Sequence, residues 1–178
     1  MSEREIRLNI PISPADICTA QQKGERIVGG KWIQHYTKPE VKRSKAIIRH
    51  EILNQLLEEG ISCVRKFKRI DGLLKPIDCL RDPLSSGDTP VMLCLHYVYR
   101  NSTLPKRDEG KHPYRVKRPD LDNLTKSVMD CLTDMEFWAD DSCVAKLFVS
   151  KVENRYAEGR IELIAKTLPK YADTDTLL

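Results

Sequence analysis

The stretch KRPDLDNLTK at residues 117–126, followed by FWADDS at residues 137–142, places carboxylates and bases beside the start of an apolar repeat. Pro119 favours an extended backbone before it and a helix start just after it. Apolar residues then recur at helical spacing: Leu121, Leu124, Val128, Leu132 and Met135. The sequence therefore predicts a helix over residues 121–135 that begins at an acidic turn.

Two aspartates stand at the start of this helix. Residues two apart in an extended segment point the same way, so the carboxylates of Asp120 and Asp122 can aim at one point if the helix turn begins near Asp122. Asp is also a favoured capping residue at a helix N-terminus, which is the alternative interpretation. The second acidic pair, Asp140 and Asp141, and the neighbouring bases favour a shared site over capping alone.

The predicted helix carries Asp122, Lys126 and Asp130 on one face, four residues apart. Lys126 is either half of an ordinary ion pair or a cation beside a metal site, where phosphate charge develops. Spacing alone does not decide between them. Carboxylate oxygens select hard cations, so Mg²⁺, with Mn²⁺ as a substitute, is expected on Asp120, Asp122 and one of Asp140 or Asp141. Such an ion activates a phosphodiester and a bound water, and we therefore expect a nuclease site.

The distribution of charge points to a polyanionic partner. The net charge of the 178 residues is only +4, but bases cluster at residues 65–69 and 100–118. Basic clusters beside carboxylates fit a nucleic acid, because carboxylates alone would repel a phosphate backbone. The predicted DNA contacts are Lys111, Arg115, Lys117 and Arg118.

Several classes of protein are disfavoured. None of the six cysteines forms a C-x-x-C pair, so we expect free thiols in a reducing compartment and no zinc site. The charged N-terminus and the absence of a long apolar run predict a cytoplasmic protein with no membrane partner. Without a glycine-rich phosphate loop, no nucleotide cofactor is expected.

The rest of the chain predicts an α+β fold. Alternating residues indicate strands over residues 6–12, 91–99 and 143–149, with a final hairpin around Gly159. A helix is predicted over residues 39–59, and the strand at 91–99 is apolar on both faces, which is typical of a central position. We expect a mixed sheet of about four strands, with a possible extra strand, and two main helices packed on one side.

The remaining segments are predicted as connections. Residues 13–38 are turn-rich and are expected to form a covering loop that buries Trp32, the alternative being a nucleic-acid contact by their interleaved basic and aromatic residues. Residues 63–70 are a possible short basic strand, followed by loop signals that include Pro76 and Pro83. A single domain is expected over residues 1–170, with loop insertions at about 61–90 and 100–117 and a flexible tail at 171–178.

The motif RPDLDNLTK at 118–126, with Asp130, Leu132 and FWADDSCV at 137–144, resembles the RusA family of Holliday-junction endodeoxyribonucleases. The spacing between the two acidic motifs matches that family without a gap. The resemblance implies a homodimeric, Mg²⁺-dependent, RusA-like enzyme of DNA recombination and repair that nicks a four-way junction symmetrically, and it suggests a phage or prophage origin.

The resemblance also assigns roles within the site. Asp120, Asp122 and Asp141 match the metal-binding aspartates of the family, Lys126 matches its essential lysine, and Asp140 matches a neighbouring acid of less certain role. Residues 61–90 and 100–117 are longer than the connections of the family, which leaves substrate preference open. The alternatives are a structure-selective DNase acting on other branched DNA and a non-catalytic DNA-binding protein whose acids are helix caps.

Overall fold

The computed structural model describes residues 3–19, 23–28, 32–70, 73–106 and 112–171. These contain two long helices, α1 (Pro39–Glu58) and α2 (Leu121–Asp134). The strands are β1 (Glu5–Ile10), β2 (Lys23–Val28), β3 (Trp32–Thr37), β4 (Cys63–Ile70), β5 (Leu73–Leu80), β6 (Val91–Arg100), β7 (Val144–Asn154) and β8 (Arg160–Thr167). Two short 3-10 helices, Pro14–Asp16 and Asp141–Cys143, complete the assignment.

The main sheet has the order β1-β8-β6-β7. β8 runs antiparallel to both β1 and β6, whereas β6 and β7 are parallel. Parallel neighbours need a crossover connection, and α2 lies in the connection between these two strands. The predicted mixed sheet and the central position of β6 are confirmed, whereas the predicted hairpin around Gly159 is wrong, because β6 lies between β7 and β8.

Both helices cover one face of this sheet. The alternating residues of β1, β6 and β8 that face the helices are buried, and they form one cluster with the apolar stripes of α1 and α2. Its members include Leu8, Leu95 and Leu163 from the sheet, Ile48, Ile52 and Leu56 from α1, and Leu124, Val128 and Leu132 from α2. Burying these side chains drives the two layers together, and the predicted α+β packing is confirmed.

Helix boundaries follow local sequence signals. Pro39 occupies the first turn of α1, where its missing N–H costs no hydrogen bond. Gly60 follows the helix with φ of 70°, a left-handed conformation that glycine adopts without steric penalty. α2 ends at Asp134, and the expected helix over 121–135 therefore differs from it by one residue.

Two segments contain hairpins: residues 13–38, expected to form a covering loop, and residues 61–90, where the possible strand at 63–70 is confirmed and the loop expected after it is wrong. β2 pairs with β3 within the predicted covering loop, and β4 pairs with β5 within the expected insertion at 61–90. Pro76 lies inside β5, a strand of a two-stranded sheet, where proline is tolerated because one edge of the strand is unpaired. The expected burial of the Trp32 side chain and the tail at residues 172–178 lie outside what the structure describes.

β7 is the edge strand of the main sheet. Its apolar alternation predicts a buried face that includes Leu147, yet Leu147 remains 45% exposed, and Phe148 on the opposite face is 56% exposed. The residues on its inner face lie at the margin of the layer covered by the helices, so periodicity alone overestimates their burial. None of the described helices combines the length and apolar character required to cross a lipid bilayer.

Candidate functional site

A groove between α2 and β7 gathers several of the predicted site residues. Asp122, Lys126 and Asp130 come from successive turns of α2, and Asp141 comes from the short 3-10 helix that leads into β7. The apolar walls are Leu121, Met129, Leu147 and Val149. Because α2 is the crossover between two parallel strands, it runs beside the start of β7, and this topology brings the two acidic motifs together.

Asp120 is placed differently from Asp122 and Asp141. It occupies the N-cap position of α2 with φ of −70° and ψ of 147°, but its side chain makes no capping hydrogen bond. It lines a neighbouring cavity with Arg118 and Asn123, whereas Asp122 and Asp141 line the groove. The capping interpretation is therefore not supported for the Asp120 carboxylate, and the structure does not place all three aspartates in one groove.

The acidic groove is an open site. Within the described ranges, no group of three or more His, Cys, Asp or Glu side chains is arranged as a ready-made metal cage. Asp120, Asp122 and Asp141 are all exposed. Mg²⁺ is commonly held by one or two carboxylates together with water and substrate phosphate, so the oxygen donors of Asp122 and Asp141 fit such an ion better than zinc.

The two aspartates of the second motif have different environments. The side chain of Asp140 accepts a hydrogen bond from the backbone N–H of Ser142 at 3.0 Å and caps the short 3-10 helix. Hydrogen bonds from Ser142 hold the pKa of the Asp140 carboxyl below its usual value. Asp140 thus acts as a helix cap, while Asp141 lines the groove.

The environment of Lys126 bears on its two interpretations. Asp130, one of the two carboxylates four residues away from it, is bound by Nζ of Lys45 from α1 at 2.6 Å. Lys126 is exposed, and no ion pair or hydrogen bond involves it among the residues that the structure describes. Its ammonium group is therefore available to a ligand in the groove.

The predicted DNA contacts also divide into two kinds. Lys117 and Arg118 are exposed immediately before Asp120. Arg115 instead binds Glu153 at 2.6 Å and lies over the Tyr99 ring at 4.2 Å, with only 19% of its side chain exposed. These contacts are structural, and they do not support a direct DNA contact by Arg115. Lys111 lies outside the described residues.

Sequence reasoning missed Lys151. It lies in β7, and its Nζ donates hydrogen bonds to the backbone carbonyls of Lys117 and Pro119, each at 2.9 Å. These carbonyls flank the Arg118–Pro119 peptide, directly before Asp120. A lysine within a strand resembles an ordinary surface residue, and no local signal marks a partner more than thirty positions away.

Comparisons with known proteins identify the family of this chain. The model of the family described as endodeoxyribonuclease RusA matches residues 70–164, a region that contains both acidic motifs. A crossover junction endodeoxyribonuclease from Lactococcus phage r1t is 26% identical over 145 residues, which cover 82% of this chain and 86% of the relative. The chain therefore belongs to the RusA family of endodeoxyribonucleases, enzymes that hydrolyse phosphodiester bonds within DNA.

Proposed function

We propose that this chain resolves four-way DNA junctions by paired, symmetric nicks that require Mg²⁺, with Mn²⁺ as a substitute, in DNA recombination and repair. The observation that carries the proposal is a groove in which Asp122, Asp141 and the exposed Lys126 lie together in a chain of the RusA family. The name of the phage relative supports a crossover junction as the substrate.

Each site residue has a distinct role in this proposal. Asp122 and Asp141 hold the divalent ion from the groove, and Asp120 completes the set by turning its carboxylate from the neighbouring cavity. The exposure of Asp120 and its lack of a capping hydrogen bond permit that turn. When bound, the ion acts as a Lewis acid on the phosphodiester and lowers the pKa of a bound water.

The basic residues act on the DNA itself. Lys126 places a positive charge against the phosphate oxygens, where negative charge increases in the transition state. Lys117 and Arg118 are exposed beside the acidic residues and hold the phosphate backbone in register with the groove. Such contacts make binding steeply salt-dependent without reading base sequence.

A second basic surface supports a DNA partner. One face of the β4–β5 hairpin exposes Arg65, Phe67 and Arg69. Phe67 is 66% exposed, and Arg65 also binds Asp78 of β5 at 3.0 Å. On the opposite face, Lys66 and Lys68 bind Glu136 at 2.5 and 3.0 Å, which fixes the hairpin against the end of α2. We assign the exposed face to an arm of the junction, where arginines meet phosphates and Phe67 packs on sugars or bases.

Homodimerisation is part of the proposal. A two-fold dimer presents two equivalent sites, which matches the symmetry of a four-way junction. The uncovered part of the β7 edge, around Phe148, which is 56% exposed, is the surface we assign to the second copy. Analytical ultracentrifugation of Phe148→Asp is expected to show a monomer where the parent chain sediments as a dimer.

The decisive experiment is a substrate panel with one substituted aspartate. Asp122→Asn is expected to bind a four-way junction as the parent does in EDTA, but to cut it at least about 100-fold more slowly with Mg²⁺. The matched control is Asp82→Asn, since Asp82 is exposed and lines neither the groove nor the cavity of Asp120. The control is expected to cut at the parent rate.

The panel also separates the alternatives. Linear duplex and flap DNA cut as fast as junctions would establish a structure-selective DNase with broader substrates. A parent protein that binds junctions and never cuts them with Mg²⁺ or Mn²⁺ would make the chain a non-catalytic DNA-binding protein.

A further inference from the structure

Three consecutive backbone carbonyls precede Asp120, and all three are bound by cations. Nζ of Lys151 donates to the carbonyls of Lys117 and Pro119, each at 2.9 Å. Nη2 of Arg115 donates to the carbonyl between them, that of Arg118, at 3.3 Å. Hydrogen bonds from charged donors are the stronger kind, so this arrangement restrains the backbone just before the acidic motif.

The clamp, defined here as Lys151 and Arg115, is itself anchored on β7. The backbone N–H of Arg115 donates to the carbonyl of Lys151 at 3.0 Å, and that of Glu153 donates to the carbonyl of Pro113 at 2.9 Å. Glu153 also binds the Arg115 guanidinium at 2.6 Å. Both cations therefore belong to a fixed layer of the structure and are not free surface side chains.

The clamp has a consequence for the side chains of the segment it holds. Because the carbonyls of residues 117–119 are bound by the clamp, the segment is fixed in one orientation, with the side chains of Lys117 and Arg118 exposed. Asp120 follows directly and is the N-cap of α2. The clamp thus fixes the backbone from which the side chains of Asp120 and Arg118 extend.

We propose that Lys151, assisted by Arg115, is a positioning residue that preorganises residues 117–120 for the divalent ion and the phosphate backbone. This inference rests on the proposed function for the identity of the ion. The alternative role for Lys151 is a direct contact, in which its ammonium group binds a phosphate of the DNA backbone. Two of its three N–H donors are already directed at carbonyls, which favours the positioning role.

The two roles predict opposite changes in metal affinity. A positive charge near a cation site repels the cation, so removing the charge alone would strengthen Mn²⁺ binding. Loss of positioning would weaken Mn²⁺ binding, because the Asp120 carboxylate would no longer be oriented by the clamp. Residues that orient metal ligands typically change metal affinity by about 10–100-fold when replaced.

The test measures Mn²⁺ binding to the DNA-free protein by electron paramagnetic resonance. Lys151→Met is expected to weaken Mn²⁺ binding by about tenfold or more. Lys151→Arg is expected to recover most of the affinity, since a guanidinium also donates two N–H groups toward neighbouring oxygens. The matched control is Lys146→Met, on the same strand but on the opposite face of the sheet, and its affinity is expected to equal or exceed that of the parent.

A second measurement is independent of metal. Hydrogen exchange of the peptide spanning residues 112–124 is expected to speed up in Lys151→Met but not in Lys146→Met. Lys151→Gln, which keeps one amide donor, takes the place of Lys151→Met if circular dichroism shows that the latter is unfolded.

Unchanged or tighter Mn²⁺ binding in the folded Lys151 variant overturns the positioning role, and so does a parent protein that binds no Mn²⁺. Failure of the proposed function looks different. In that case the parent binds Mn²⁺ and the variants show the expected order of Mn²⁺ affinity, while the parent cuts no junction. This result would support the positioning role of Lys151 and refute the proposed function.

Discussion

The role of Asp130 bears on which carboxylates would bind the proposed divalent ion. It lines the same groove as Asp122 and Asp141, whereas Asp120 lines the neighbouring cavity. Geometry alone would allow Asp130 to replace Asp120 as the third ligand. Its ion pair with Lys45 argues for a different role, namely joining α2 to α1.

We predict that Asp130→Asn lowers stability and leaves cutting largely intact. The pair measures 2.6 Å, and the Lys45 and Asp130 side chains are 23% and 30% exposed. Fully exposed pairs contribute about 0.2–1 kcal/mol, and hydrogen bonds to charged groups about 1.5–3 kcal/mol. A pair of intermediate exposure lies between these ranges. The expected loss is therefore about 1 kcal/mol, or about 2–4 °C in Tm for a chain of this size.

The assay combines urea unfolding, followed by circular dichroism, with junction cutting in Mg²⁺. Cutting is expected to remain within about threefold of the parent rate, since about 1 kcal/mol leaves the chain folded in the assay. Lys45→Met should cost a similar amount, and the double variant should show a coupling free energy of about 1 kcal/mol. These values would identify the pair as a structural link between the helices.

The opposite result would refute this reasoning. If Asp130→Asn unfolds at the parent urea concentration but cuts about 100-fold more slowly, then Asp130 contributes to catalysis and not to stability. The ligand set would then be Asp122, Asp130 and Asp141, and the role proposed for Asp120 would be wrong.

Three further predictions concern a cap, a close contact and the pH dependence of stability. Asp140→Ser should cut at the parent rate, since serine also accepts a capping hydrogen bond, and a loss of about 100-fold would make Asp140 a metal ligand. Gly159→Ala should cost about 1–3 kcal/mol in urea unfolding, because a Cβ there would lie 2.9 Å from the Cα of Ser13, and parent stability would show that this turn moves freely. Burial raises the pKa of both Cys131 and Tyr99 to about 12, so each stays protonated in the folded chain after its unfolded form has ionised. The free energy of unfolding, measured by urea titration, should therefore fall as pH rises from about 9 to 11, by up to about 1.4 kcal/mol per pH unit for each group. A rise in that free energy would contradict the assignment.

The sequence was sufficient wherever the signal is local. The apolar repeat from Leu121 to Met135 predicted α2 to within one residue, because a helix buries residues at a fixed spacing. The strand alternation and the Pro39 and Gly60 signals located the main sheet and α1 for the same reason. The two acidic motifs and their spacing identified the family, since the topology joins them through one helix and one short turn.

Contacts between residues that are distant in sequence could be found only in the tertiary structure. The hairpin β2–β3 and the strand β5 lie in segments interpreted as loops, because turn residues outweighed the short strand patterns. Lys45 and Asp130 are 85 positions apart, and Arg115 and Glu153 are 38 apart, so no periodicity links them. The role of a charged side chain is set by the groups packed around it. Asp140 therefore caps a 3-10 helix, whereas Asp130 joins α2 to α1, and these two roles depend on contacts that exist only after folding.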